Sequence, residues 1–225
     1  LVTVPDARHA LSKIAARFYP RQPQNVAAVT GTSGKTSTVQ FARQLWELAG
    51  HKSASIGTLG LISPDKTHYY GLTTPDAITM HKMIDEVTGQ GVSHLAIEAS
   101  SHGIELGRLD ALNITCAAFT NLSRDHLDYH QTMDKYLEAK LRLFTDLLPA
   151  DGTAVLNADI DEYAKVANIC KDRGMKIISY GCNGHEVQLE TFKPEAKGQR
   201  MIIDVLGKRH ELVLPVIGSF QVENS

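Results

Sequence analysis

Apolar residues Ala10, Leu11, Ile14, Ala15 and Phe18 recur at helical spacing between Asp6 and Phe18, and Asp6 stands where an N-cap belongs. The Pro- and Gln-containing stretch from Pro20 to Asn25 reads as a linker. A short apolar run, Val26 to Val29, then leads into a glycine loop, and a helix is expected from about Lys35 to Leu48. Further on, the pattern predicts helix 76–90 before strand 94–97. Strand 114–119 precedes a polar loop and helix 132–147. Strand 154–156, helix 160–172 and strand 176–180 complete the alternation. Strands alternating with helices predict an α/β fold with a mostly parallel, doubly wound sheet. After Gly184 the helices stop, and segments 186–193, 200–206 and 210–214 predict a small antiparallel sheet near the C-terminus.

Composition narrows the function classes. A formal net charge of −2 gives no general attraction to nucleic acid, so any basic site must be local. Cys116, Cys170 and Cys182 form no C-x-x-C pair, which argues against a zinc site or a disulfide framework and for a reducing cytoplasm. No apolar run approaches the ~20 residues of a membrane helix, and the N-terminus lacks the flanks of a secretory signal. Neither end resembles a natural boundary, so a piece of a longer protein is expected.

Gly31-Thr32-Ser33-Gly34-Lys35-Thr36 lies between an apolar strand and an amphipathic helix. Glycines allow a tight turn and close approach of backbone N–H groups to an anion, and the helix N-terminus adds partial positive charge. Lys35 is placed for the β/γ-phosphates and Thr36 for Mg²⁺, with Ser37 next in the first helical turn. The full phosphate-loop pattern wants a further glycine where Val29 stands, so only the shorter G-x-x-G-K-T is present. The plain alternative is a glycine-rich structural turn.

Glu98 closes an apolar strand at the edge where parallel sheets collect ligands, and a carboxylate there suits Mg²⁺. Taken alone it could equally be a solvated strand end. The segment from Phe119 to His130 is dense in metal- and phosphate-binding groups, but spacing does not decide which of Asp125, His126, Asp128 and His130 faces a site. By spacing alone, Lys140 is a surface lysine. Cys116 reads as a core residue.

Together these pieces resemble the Mur ligase family, and within it the branch that adds the third residue to UDP-MurNAc-L-Ala-D-Glu. The resemblance rests on Thr30 to Thr36, Leu72-Thr73-Thr74-Pro75, Glu98 to Gly103, Gly107-Arg108-Leu109, Thr120 to His130 and Tyr136 to Lys140, all in family order. It implies a central ATP-binding domain over 25–218, with 1–24 a connecting helix and linker and 219–225 the start of a second linker. It also implies catalytic roles for Lys35, Glu98, His126 and Lys140, and ATP contacts from Gly31, Thr32, Ser33, Gly34, Lys35, Thr36 and Ser37. Thr36, Glu98, His126 and Lys140 would hold Mg²⁺, Lys140 as a CO2-derived carbamate. Thr73, Thr74, Ser100 and Arg108 would bind the UDP-MurNAc-dipeptide, which a monomeric cytoplasmic enzyme joins to diaminopimelate or lysine. Ser33 stands where Asn is usual and Leu106 where a polar residue is expected. The implied reaction passes through an acyl phosphate, with neighbouring domains closing over it. The isolated chain is therefore expected to bind ATP weakly and not to ligate. The rivals are a folylpolyglutamate synthetase-like ligase and a P-loop ATP-binding or NTPase module without ligase activity. A third is a glycine-rich α/β domain that binds no nucleotide.

Overall fold

The structure, a computed structural model, describes residues 3–196 and 198–216. Helix α1 (Ala7–Phe18) is capped as its sequence predicts, the Asp6 carboxylate accepting from the N–H groups of Arg8 and His9. Next come β1 (Asn25–Thr30), α2 (Lys35–Leu48), β2 (Ser53–Gly57), β3 (Gly60–Ile62), β4 (Thr67–His68) and α3 (Ala77–Gly89). β5 (His94–Glu98), α4 (Ser101–Glu105), β6 (Cys116–Phe119), α5 (Leu127–His130) and α6 (Met133–Arg142) follow. The expected helix 132–147 is thus α6 continued by a π-helical turn, Leu143–Leu147. The described chain ends with β7 (Thr153–Asn157), α7 (Tyr163–Asp172), β8 (Lys176–Gly181), β9 (Val187–Glu195), β10 (Gly198–Val205) and β11 (Lys208–Leu214).

Six strands run parallel in the order β2-β5-β1-β6-β7-β8. At one edge β3 and β4 add antiparallel. At the other, β9 pairs in parallel with β8 at only two positions, and β10 and β11 add antiparallel to it. The expected C-terminal antiparallel group is present, hydrogen-bonded into the main sheet. The expected linker segment 219–225 lies outside the described residues.

Both faces of the central strands are covered, which is why they read as unbroken apolar runs. Val26, Ala28, Leu95, Ile97 and Phe119 pack into the main core, while Val29 and Ala96 pack with Val39 of α2. β1 lies between β5 and β6, strands reached later in the chain. The crevice beyond its carboxyl end is therefore the topological switch point, where such sheets bind ligands.

A buried polar knot fastens α1 to this frame. The Ser12 hydroxyl donates to the Asp110 carbonyl at 2.6 Å and lies 3.3 Å from His81, itself fully buried. The Asp110 carboxylate, 1% exposed, pairs with His9 and with the Arg142 guanidinium at 2.9 and 3.0 Å. Asp110 is buried, but Arg142 is 23% and His9 41% exposed, and Arg142 keeps Asp146. Asp110→Ala should therefore cost about 2 kcal/mol of stability, between an exposed pair and a fully buried one. Urea unfolding checks this; a loss no larger than an exposed pair gives, ~0.5 kcal/mol, would refute it.

Candidate active site

The loop at the end of β1 is built on two glycines with positive φ, Gly31 at 145° and Gly34 at 85°. A Cβ on Gly31 would run into the Thr120 hydroxyl, so nothing larger fits there. Val29 occupies the position of the absent loop glycine, yet it lies inside β1, paired with Glu98 and Ala118. The strand simply runs further before the turn, and the loop needs no glycine at that point.

Residues after β6 brace this loop. Thr32 N–H donates to the Asn121 carbonyl and Ser33 N–H to the Asn121 side chain, both at 2.9 Å. Thr120 donates its hydroxyl to the Ser33 carbonyl at 2.7 Å, and Ser123 N–H bonds the Thr32 hydroxyl. Asn157, at the end of β7, donates to the Thr120 carbonyl. Two loop N–H groups are thus engaged by protein. Those of Gly34, Lys35, Thr36 and Ser37 open α2, which has no side-chain cap, and helix geometry leaves them without an intrahelical acceptor.

Two lysines converge on one carbonyl. Lys35 Nζ donates to Gly31 O at 3.0 Å and to Thr32 O at 2.8 Å, and Lys140 Nζ donates to the same Gly31 O at 2.7 Å. Lys140 is 1% exposed, which overturns the surface reading its spacing suggested. Burial, helped by the nearby Lys35 charge and opposed by Asp125, pushes its pKa down from 10.5 to about 7. Burial also lowers the pKa of Lys35, against the pull of Glu98 and Asp125. The Lys140 amine sits 4.3 Å over the ring of Tyr136, whose phenol oxygen is 3.3 Å from the Thr32 hydroxyl.

Glu98, also 1% exposed, closes β5 facing the start of α2. Its Oε2 accepts from the Thr36 hydroxyl at 3.0 Å and the Thr58 hydroxyl at 3.2 Å, and its Oε1 from Thr58 N–H at 2.8 Å. A Cβ on Gly57 would collide with this carboxylate. Thr73 reaches the same group through the Thr58 hydroxyl, 3.1 Å away. Thr74 donates to the Glu98 carbonyl at 2.9 Å and meets the Ser100 hydroxyl at 2.9 Å. Arg108 donates to the Thr74 carbonyl at 2.7 Å. Thr73, Thr74, Ser100 and Arg108 therefore form one connected wall beside Glu98. Thr74 is 1% exposed with its hydroxyl engaged on both sides, so it braces Ser100 rather than offering a free hydroxyl.

His126 lies apart from this wall. It adopts a left-handed backbone (φ 52°) ahead of α5, and its ring is 3.4 Å from the Asp125 carboxylate and edge-on to His102 at 5.0 Å. No hydrogen bond or ion pair among the described residues joins it to Thr36, Glu98 or Lys140. Nor do three His, Cys, Asp or Glu side chains among the described residues form a metal-binding group. A divalent ion here would need oxygens from phosphate and water as well as from protein. Leu106 caps the end of α4, half-buried. Sequence reasoning gave no role to Thr58, Asn121 or Tyr136. The last two lie inside conspicuous motifs, whereas Thr58 carried no signal. No helix among the described residues is long and apolar enough to cross a membrane.

The family model described as Mur ligase middle domain matches residues 29–225. Over its whole length the chain is 49% identical to the UDP-N-acetylmuramoyl-L-alanyl-D-glutamate–2,6-diaminopimelate ligase of Bradyrhizobium diazoefficiens, of which it covers 47%. It is 42% identical to the protein of that name from Mesorhizobium japonicum, covering 46% of it. The chain thus spans about half the length of the curated relatives it matches. A solved ligase of the same name overlays on 99% of this chain and 46% of its own, with TM-score 0.88 and 29% identity. The apo form of L. casei FPGS shares the fold alone, with TM-score 0.78 and 16% identity over 100% of this chain and 61% of its own.

Proposed function

The chain belongs to the Mur ligase family, and from that membership we propose that it is the central ATP-binding region of an enzyme adding the third amino acid to UDP-MurNAc-L-Ala-D-Glu in peptidoglycan synthesis. On this reading 25–218 is the ATP-binding domain, 1–24 connects it to a uridine-nucleotide domain, and 219–225 leads to an amino-acid domain. The names of the relatives favour diaminopimelate over lysine as the amino acid. The enzyme works as a cytoplasmic monomer. The carrying observation is the convergence of Lys35, Thr36, Glu98 and Lys140 at the switch point of the sheet.

The oxygen donors at the end of β5 and the start of α2 fit the ion they would hold. Thr36 and Glu98 offer hard oxygen donors to Mg²⁺, and Glu98 is a buried carboxylate in no ion pair among the described residues. His126 would serve a second Mg²⁺ together with Lys140 as carbamate. Carbamylation joins a neutral amine to CO2 with loss of one proton, and burial keeps the Lys140 amine neutral above about pH 7. The resulting anion would face the Lys35 cation.

When bound, Mg-ATP supplies the phosphoryl group that converts the substrate carboxylate to an acyl phosphate, whose carbonyl the incoming amine then attacks. The chain brings two anions together against their repulsion. Lys35 would exchange the Gly31 and Thr32 carbonyls for phosphate oxygens, and the first-turn N–H groups of α2 would donate to the remaining ones. Arg108 keeps further guanidinium donors for a carboxylate or phosphate of the dipeptide substrate, beside Ser100 and Thr73.

Mg-ATP at 100 times its Kd should stabilise the chain by about 2.7 kcal/mol. A differential scan with Mg-ATP, ATP plus chelator, and Mg²⁺ alone tests this. No shift at millimolar Mg-ATP would favour a domain that binds no nucleotide. The full-length enzyme should ligate diaminopimelate only with the muramoyl dipeptide present. ATP turnover indifferent to that dipeptide would favour a P-loop NTPase module instead, and glutamate addition to a folate would favour a folylpolyglutamate synthetase-like ligase.

A further inference from the structure

We propose that His130 is a positioning residue for the ligation described above, tying the turn that carries Ser100 to the helix that carries Lys140; this rests on that functional reading. The His130 side chain is nearly inaccessible, at 4% exposure, and its Nε2 lies 2.9 Å from the Ser101 hydroxyl. Its Nδ1 lies 3.4 Å from a carboxylate oxygen of Glu105. A carboxylate facing Nδ1 favours the proton there, leaving Nε2 to accept from Ser101.

The order serine, histidine, carboxylate is that of a hydrolase triad, but the surroundings exclude a nucleophile. Ser101 is 2% exposed and absent from the wall of the adjoining cavity, about 480 Å³, to which Glu105, Tyr129, His130 and Lys135 contribute. No substrate carbonyl could reach it. The contact joins two elements instead.

What it joins is the substrate wall and the phosphate loop. Ser101 follows Ser100, whose hydroxyl caps α4 at Gly103 and meets Thr74. On the other side the His130 ring packs 5.1 Å from Tyr136, which touches Thr32 and underlies Lys140. The short helix α5 that presents His130 is bounded by two non-glycine residues with positive φ, His126 at 52° and Gln131 at 66°. Such backbone persists only where the surroundings enforce it, and it concentrates at working sites. Here it aims one imidazole between α4 and α6.

The test uses the full-length enzyme with His130→Ala, His130→Gln, Ser101→Ala and the His130→Ala/Ser101→Ala double variant. Misplacing reacting groups by about 1 Å costs up to ~100-fold, so His130→Ala should lower kcat for ligation roughly 30-fold. KM for Mg-ATP should stay within about twofold, because the loop contacts remain. Glutamine can still bond Ser101 and should restore most of kcat. Because Ser101 and His130 act as one unit, the double variant should be no slower than the slower single variant. The inference is overturned by His130→Ala working within about threefold of wild type, by losses that multiply in the double variant, or by glutamine failing to rescue. If His130→Ala does not fold, Ser101→Ala takes its place: it should lower kcat roughly 30-fold while His130→Gln keeps most of it. Ser101→Ala working within about threefold of wild type, or His130→Gln losing as much as Ser101→Ala, then overturns the inference. A wild-type enzyme that does not ligate would remove the functional reading itself, a result distinct from ligation indifferent to His130.

Discussion

Lys140→Met and Lys140→Arg will each abolish measurable ligation by the full-length enzyme while leaving Mg-ATP bound. Neither side chain can take up CO2, and only arginine keeps the charge. Loss in both variants therefore separates a need for the carbamate from a need for a cation. Removing one preorganised charge-stabilising group from an active site typically costs 10²–10³-fold, and a metal ligand should fall at or beyond the upper end. ¹³C-labelled bicarbonate should give a carbamate carbon resonance in wild type that both variants lack. Ligation by Lys140→Arg at a tenth of the wild-type rate would show that the cation, not the carbamate, is what matters.

The same lysine makes stability depend on pH in a definite direction. In the unfolded chain its proton is held up to about 10.5, and in the folded chain only up to about 7. Between those values the unfolded state binds one more proton, so this group makes stability rise with pH across that window. Below about 7 the full cost of burying the cation is present; above 10.5 it is gone. Lys140→Met should lack this component when wild type and variant are unfolded in CO2-free buffers from pH 6 to 10. A wild-type-minus-variant difference that is flat with pH would contradict it.

Much of this was legible because strong local patterns coincide with the elements they specify. Helix α2 spans Lys35–Leu48 as its periodicity predicts, and α1 carries the Asp6 cap. β2 was illegible for a physical reason. Ser53 and Ser55 are fully buried in it, their hydroxyls bonded to the Arg43 carbonyl and the Gln40 side chain, so no apolar run announces a core strand. The helices α4 and α5 are too short to show a period. Lys140 looked like a surface residue because a lysine's burial depends on what the rest of the fold places around it. Here that is the Gly31 carbonyl and the Tyr136 ring, 109 and 4 positions away in sequence. Asn121 and Tyr136 lay inside motifs, but only the folded loop shows that one bonds the Thr32 and Ser33 N–H groups and the other the Thr32 hydroxyl.

Glu98→Gln should reduce ligation by at least ~100-fold, on the scale of losing one charge-stabilising group, and should weaken the dependence of nucleotide affinity on Mg²⁺. The substitution keeps the side chain's shape in the space that Gly57 leaves open. Its amide oxygen can still accept from Thr58 N–H, and the Thr36 and Thr58 hydroxyls can rotate to accept from its NH2, so folding should persist. What disappears is the negative charge beside Thr36. Glu98→Ala is a poorer probe, since it strands those donors in a buried site and mixes a folding cost with a functional one. The decisive measurement is nucleotide affinity titrated against Mg²⁺ in wild type and Glu98→Gln. A Mg²⁺ response unchanged by the substitution would make Glu98 a bracket for the Thr36 and Thr58 hydroxyls and move the metal site elsewhere. A lost response, with unaltered unfolding in the absence of nucleotide, would place the ion between the end of β5 and the start of α2.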